Sequence, residues 1–172
     1  AAVDNKEPTQ SDIIANLDNI PTHETLYDFE VGYRLTNDRF AFEWNNYVMM
    51  YNNQLVLTGD VNNSGAFIKE NVGKSSRIGA EVMFATKLLD RLTWNINTTI
   101  SSNKVKNYVE DLGDFKFEYK NTDISFSPSI IAANSFTYQL EQGVEFELST
   151  KYVGRQFMDN TSNLNRSLPA FT

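Results

Sequence analysis

One histidine, no cysteine and a scatter of carboxylates are what this chain offers for chemistry. Without cysteine there is no thiol nucleophile, no thiolate metal ligand and no disulfide. With His23 alone, the common nucleophile–base pairs have almost no base to draw on. Glu145 and Glu147 are a carboxylate pair of the kind glycoside hydrolysis uses. On a strand, that spacing also simply places both on one face, and no aromatic sugar platform accompanies them. Asp60, Asp111, Asp114 and Asp159 carry oxygens suited to calcium, but the spaced Asp-x-Asp-x-Asp-Gly loop is missing. One histidine among loop acids is a poor transition-metal set, and no Gly-rich phosphate loop is present. The expectation is no catalytic set, no metal and no cofactor, which leaves binding, transport or structure.

The elements that hold the remaining charges are alternating strands. In Leu92-Thr93-Trp94-Asn95-Ile96-Asn97-Thr98-Thr99-Ile100-Ser101, even positions are apolar or threonine and odd positions are polar. Successive strand side chains point to opposite faces, so one face is greasy and the other wet. The pattern recurs about six times, over residues 26–36, 39–58, 74–89, 91–106, 123–141 and 143–157. Tyr27, Phe29, Val31, Tyr33 and Leu35 share the first greasy face, and Phe40, Phe42, Trp44, Val48 and Met50 the second, with Asn46 interrupting it. The wet faces carry Glu30, Arg34, Glu43, Arg77, Glu81, Lys87, Glu145, Glu147, Lys151 and Arg155. A soluble sheet also alternates, but these charges, together with short turns that alternate with long polar stretches, suit a transmembrane wall. Asn37-Asp38, Leu89-Asp90-Arg91 and Glu141-Gln142-Gly143 are the short turns. Residues 1–25, 52–75, 104–123 and 156–172 read as long loops, with Gln54 to Thr58 able to prolong a strand. Pro128 falls near the start of the fifth strand, where a missing N–H does least harm.

Composition bounds the rest. With 41% hydrophobic and 13% aromatic residues, the chain has enough apolar material to avoid global disorder. A net charge of −7 argues against a nucleic-acid partner. No run approaches the roughly 18 apolar residues of a membrane helix, which a barrel does not need. No signal peptide is evident and the first residue is Ala1, so the chain is expected to be a mature form or an internal piece. The smallest natural barrels have eight strands, and an open edge in lipid leaves backbone groups unpaired. The expected fold is therefore all-β: an antiparallel up-and-down transmembrane β-barrel, here an incomplete section of about six strands with long extracellular loops.

Several stretches carry a family resemblance. Glu24-Thr-Leu-Tyr-Asp-Phe-Glu-Val-Gly-Tyr33 resembles the Pro-Glu-x-Leu-x-Asp-(Phe/Tyr)-Glu-(Leu/Ile)-Gly-Tyr strand start of TonB-dependent outer-membrane receptors of the Bacteroidetes type, with His23 where that pattern has proline. Lys6-Glu7-Pro8 is similar to the Arg-Glu-Pro motif upstream of it. Asn71-Val-Gly-Lys-Ser-Ser-Arg-Ile-Gly-Ala-Glu81 resembles the Asn-x-Gly-x-(Ser/Ala)-x-x-x-Gly-(Ile/Val)-Glu signature. Residues 121–128 and 151–157 resemble the family's late strands. The resemblance implies the C-terminal third of a barrel of roughly 22 strands, in a receptor closed by an N-terminal plug. It also implies import of a scarce nutrient such as an iron chelate, haem, cobalamin or oligosaccharide, energised through the TonB complex. The partners it implies are outer-membrane lipid, the receptor's own plug, TonB through the N-terminal part, the small-molecule nutrient and, in some members, a surface lipoprotein.

If the short turns are periplasmic, the long stretches face outward. Phe67, Tyr108, Phe115, Phe117, Tyr119, Arg155 and Phe157 are then ligand-binding candidates, although loop aromatics also pack the loops themselves. The wet-face charges either guide a ligand, hold the plug, or form a solvated wall of weak pairs. Three readings stand: a TonB-dependent receptor, a passive porin-type barrel, and a soluble β-sandwich. The sandwich requires Phe29, Trp44, Trp94 and Phe146 in a dry core, whereas the barrel requires them on the outside.

Overall fold

A computed structural model describes residues 1–17 and 19–172. Asp18, in the first expected loop, lies outside the described residues. The elements are β1 (Ala2–Lys6), α1 (Gln10–Ala15), β2 (Glu24–Thr36), β3 (Phe40–Val61), β4 (Phe67–Leu89), β5 (Leu92–Asp111), β6 (Lys116–Asp123), β7 (Ile130–Gln139), β8 (Glu145–Val153), β9 (Gln156–Phe157) and β10 (Ser167–Leu168). Eight strands form one antiparallel sheet in the order β1-β2-β3-β4-β5-β7-β8, with β6 also paired to β5. β9 and β10 make a separate two-stranded ribbon. The sheet is open, with β1 and β2 at one margin and β8 at the other.

The register turns the one-dimensional alternation into two faces. Arg34, Glu43, Met83, Asn97, Ala133 and Lys151 lie in one continuous cross-strand row. Tyr33, Trp44, Val82, Thr98, Ala132 and Tyr152 form the neighbouring row, on the opposite face. The apolar face is open to its surroundings: Phe29 is 58% exposed, Trp44 38% and Phe146 62%. Trp94 is half-buried, held in an aromatic chain from Phe84 at 5.9 Å to Phe136 at 6.1 Å. Such pairs contribute roughly 0.5–1.5 kcal/mol each beyond the area they cover. The β-sandwich expectation fails here, because among the described residues no second sheet packs on this face.

The short turns close as their residues dictate. Asn37 accepts from the Arg39 and Phe40 amides at 2.9 Å each. Gly143 supplies the positive φ that its turn needs. At the other end, much of what reads as loop in the sequence is strand. β3 and β4 continue as a tall hairpin to Val61 and Phe67, and β5 and β6 as another to Asp111 and Lys116. Their sequences look polar because both faces of a hairpin standing in water can be polar, so alternation vanishes although the backbone ladder persists. β5 pairs with β7 from Leu92 to Ile100 and with β6 from Lys104 upward. Residues 124–129 cross between the two, which puts Pro128 outside the ladder rather than at a strand start.

The N-terminal stretch is also ordered. Thr9 caps α1 in a reciprocal box with Asp12: its hydroxyl accepts from the Asp12 amide and its own amide donates to Asp12 at 3.0 Å. Asp12 is buried and pairs with Lys69 at 2.8 Å, which pins the helix to β4.

Candidate functional site

Two regions gather chemistry-bearing side chains. The first is the polar face of the sheet. Every wet-face charge expected from β2 to β8 falls on it: Glu30 opposite Tyr47, Arg34 opposite Glu43, Arg77 opposite Met49, Glu81 opposite Asn45, Lys87 opposite Thr93, Glu147 opposite Thr137, Lys151 opposite Ala133 and Glu145 opposite Gln139. Arg34 and Glu43 form an ion pair at 2.8 Å. Arg77 donates to Ser127 at 3.1 Å and Glu145 accepts from Gln139 at 3.2 Å. A groove of about 540 Å³ crosses this face. Its floor is a belt of small side chains, Ala41, Ala85, Asn95, Ser135 and Ser149, rimmed by Glu43, Met83, Glu147 and Lys151. Where the face crowds, glycine makes room. The Tyr47 ring lies across Gly79, where a Cβ would sit 2.5 Å from the hydroxyl and 2.7 Å from the Ile100 carbonyl oxygen.

The second region is a compact cap at the tall end. Its core is Val56, Val72, Val105, Tyr108 and Ile124, with Tyr119 packed against it. The Tyr108 and Tyr119 rings lie 6.3 Å apart. Around them runs a buried polar network. The fully buried Asn160 side chain donates to the Leu57 carbonyl at 2.8 Å and accepts from the Ser125 amide at 2.9 Å. Asp159 accepts from the Thr161 amide and hydroxyl, and from Arg166 at 3.0 Å. Arg166 also pairs with Glu110, which in turn accepts from the Tyr119 hydroxyl at 3.0 Å. The segment can lie this close because Gly59, at φ +97°, has no side chain: a Cβ there would stand 2.8 Å from the Met158 carbonyl oxygen.

The electrostatics of the cap follow from burial. Glu70 titrates above the usual carboxylate range, chiefly because it is desolvated and secondarily because Asp60 repels its charge, while the Tyr108 hydroxyl pulls the other way. Burial also pushes the Tyr108 phenol up, with Glu70 adding to it. Tyr119 is raised by its bond to Glu110. Arg166 is held cationic by Glu110 and Asp159. At the helix, desolvation of Asp12 is outweighed by bonds from Lys69 and Thr9, leaving it at about 2.

Of the expected ligand contacts, the structure gathers Tyr108 and Tyr119 into the cap core. Phe67, Phe115 and Phe117 stand outside it, 59%, 67% and 48% exposed on the two hairpins. Arg155 is exposed and donates to Ser167 at 2.9 Å, and Phe157 is half-buried in the β9–β10 ribbon. Asn160 escapes a sequence reading because its partners lie 35 and 103 positions away, the Glu110–Arg166 pair because it joins positions 56 apart, and Glu70 because its burial arises only in the folded cap. Asp159-x-Thr161 does carry a signal, since that spacing suits a side chain closing its own turn. Among the described residues, no group of three or more His, Cys, Asp or Glu side chains could hold a metal ion, and His23 is exposed.

Comparison with known proteins fits this geometry. A profile described as "Outer membrane protein beta-barrel family" matches residues 23–168. A search of curated protein sequences finds no match. Among solved structures, the ferric yersiniabactin uptake receptor FyuA from Yersinia pestis superposes with a TM-score of 0.68 at 15% identity, covering 99% of this chain and 25% of that one. The copper transporter OprC gives 0.68 at 12% identity, covering 98% and 26%. The siderophore receptor PiuA from Acinetobacter baumannii gives 0.60 at 13% identity, covering 87% and 21%. The chain thus spans about a quarter of the length of these structures.

Proposed function

The chain belongs to the outer membrane protein β-barrel family, and from that premise we propose that it is a section of the wall of a TonB-dependent receptor of the Bacteroidetes type. The fold is that of a non-enzymatic outer-membrane receptor. The whole receptor takes up a scarce nutrient, with an iron chelate (a siderophore or haem) as cargo, using energy delivered through TonB. The observation that carries this reading is the pairing of a continuous lipid-suited face with a charged, grooved opposite face, over a chain that follows a ferric-chelate receptor along its length.

In this reading the apolar rows face lipid, and the polar face lines a lumen wide enough for water and a plug. The small-residue groove between Glu43 and Lys151 receives part of that plug. The tall hairpins face outward, where Phe67, Phe115, Phe117 and Arg155 are free to meet cargo. Tyr108 and Tyr119 instead act as the packed base that holds the hairpins upright.

The test uses the complete receptor gene. A deletion strain, grown under iron limitation, is supplied with a panel of 55Fe-loaded catecholate and hydroxamate chelates and with haem. The proposal expects loss of uptake for at least one of these, restored by the gene only when TonB is present. Uptake that persists without TonB favours a passive porin-type barrel. Loss confined to cobalamin or to an oligosaccharide keeps the receptor and replaces the cargo.

A further inference from the structure

The apolar face does not fade evenly into water at the tall end; it stops at a basic patch. Its last row joins Tyr27, Met50, Ser76 and Lys104 across β2 to β5. The next positions on the same face are Lys74 on β4 and Lys106 on β5. Both are exposed, and together they line two adjoining grooves of about 430 and 560 Å³. The register that pairs Ser75 with Val105 and Ser76 with Lys104 points position 74 at position 106. Lys104 has a counter-charge in Asp123 at 2.7 Å. Lys74 and Lys106 have no carboxylate within salt-bridge distance among the described residues. Like charges facing each other across neighbouring strands destabilise a sheet, and three lysines here run against a chain whose net charge is −7. An arrangement that is costly when empty is relieved by an anion.

We propose that Lys74 and Lys106, with Lys104 beside them, bind the phosphate of a phosphate-bearing lipid headgroup in the leaflet at the tall end. This rests on the outer-membrane reading above. The patch sits where a lipid phosphate sits, directly over the apolar belt, and the side chains beneath suit acyl chains: Tyr27 is 44% exposed, Met50 56% and Ile78 49%. Basic residues at a membrane surface attract anionic lipid. The lysine stems can lie along Met50 and Tyr27 while the ammonium groups reach the phosphate. A free phosphate ion would satisfy the charge but leave that apolar floor uncovered, so the proposal commits to the lipid.

The experiment uses the whole receptor, purified from outer membranes in a neutral detergent and titrated with fluorescently labelled diphosphoryl lipid A. The wild type is expected to bind saturably, and the Lys74→Gln/Lys106→Gln double variant roughly tenfold or more weakly. Lys74→Arg/Lys106→Arg is expected to retain binding, and Lys116→Gln, at the far end of the β5–β6 hairpin, to match the wild type. Affinity unchanged in the double variant, equal binding of the dephosphorylated lipid, or displacement of the lipid by millimolar inorganic phosphate would each overturn the site. Fractionation separates this from the reading beneath it: a receptor absent from the outer membrane overturns both, whereas one present there with lysine-independent lipid binding overturns this inference alone.

Discussion

Asn160→Ala should loosen the whole cap, because this one side chain ties three segments together. Its oxygen takes the Ser125 amide at 2.9 Å and its nitrogen donates to Leu57 at 2.8 Å, in a position with no exposure at all. Leu57 keeps a second donor in the Ser125 hydroxyl at 2.7 Å. The Ser125 amide has no substitute, and Ser125 is itself buried. Leaving one buried donor unpaired costs about 1–3 kcal/mol, and the emptied space adds to it. A total of about 2–3 kcal/mol corresponds to a rise of roughly 30- to 150-fold in local opening. Hydrogen exchange of the intact receptor, read on peptides covering 123–126 and 156–161, measures this directly. The Phe126 amide, bonded to Phe157, and the Met158 amide, bonded to Arg166, are the reporters. Faster exchange should stay within the cap, with the β2–β3 ladder from Phe29 to Thr36 unchanged. Exchange at wild-type rates in both cap peptides would refute the view that Asn160 is their tie.

Three further predictions come from the same geometry. Gly79→Ala should cost about 1–3 kcal/mol, since the new methyl meets a backbone oxygen that cannot retreat; the unfolding midpoint on a heat-modifiable gel reports it, and Tyr47→Ala should rescue it only in part. The cap should weaken as pH rises, because Glu70 binds its proton more tightly folded than unfolded: this contribution is fully present below the ordinary carboxylate range, fades as pH climbs to the raised folded value, and then levels off. Glu70→Gln should flatten that dependence and protect the cap at neutral pH in the same exchange assay. Val82→Lys, in the middle of the apolar face, should cost about 2–4 kcal/mol in a bilayer, whereas Glu81→Lys next to it should be tolerated; outer-membrane assembly yield separates the two.

The two faces of the sheet were legible because alternation is local. Leu92 to Ser101 spells out its own pleat, and Arg34 and Glu43 share a wet face whatever they pair with. Gln54 to Thr58 does prolong β3 as expected, but the hairpins were not legible above Thr58 and Lys106, since a strand with water on both sides has no reason to alternate. Nor was the crossover at Pro128, which depends on β5 exchanging its β7 partner for β6. The cap was least legible of all. Tyr108 and Tyr119 stand out as aromatics, but only the folded chain shows them as core. The bond from Asn160 to Leu57 joins positions that no spacing rule connects.

The absence of cysteine in this section allows the most direct measurement of which face meets lipid. Single Val31→Cys, Val82→Cys and Ile100→Cys variants of the complete receptor are spin-labelled in bilayers beside Glu30→Cys, Glu81→Cys and Lys151→Cys. The first three labels should relax with oxygen dissolved in lipid, and the second three with a water-soluble nickel chelate, alternating at every step from 81 to 82 and from 30 to 31. Equal nickel accessibility on both faces, or an apolar row shielded from both reagents, would contradict a lipid-facing wall.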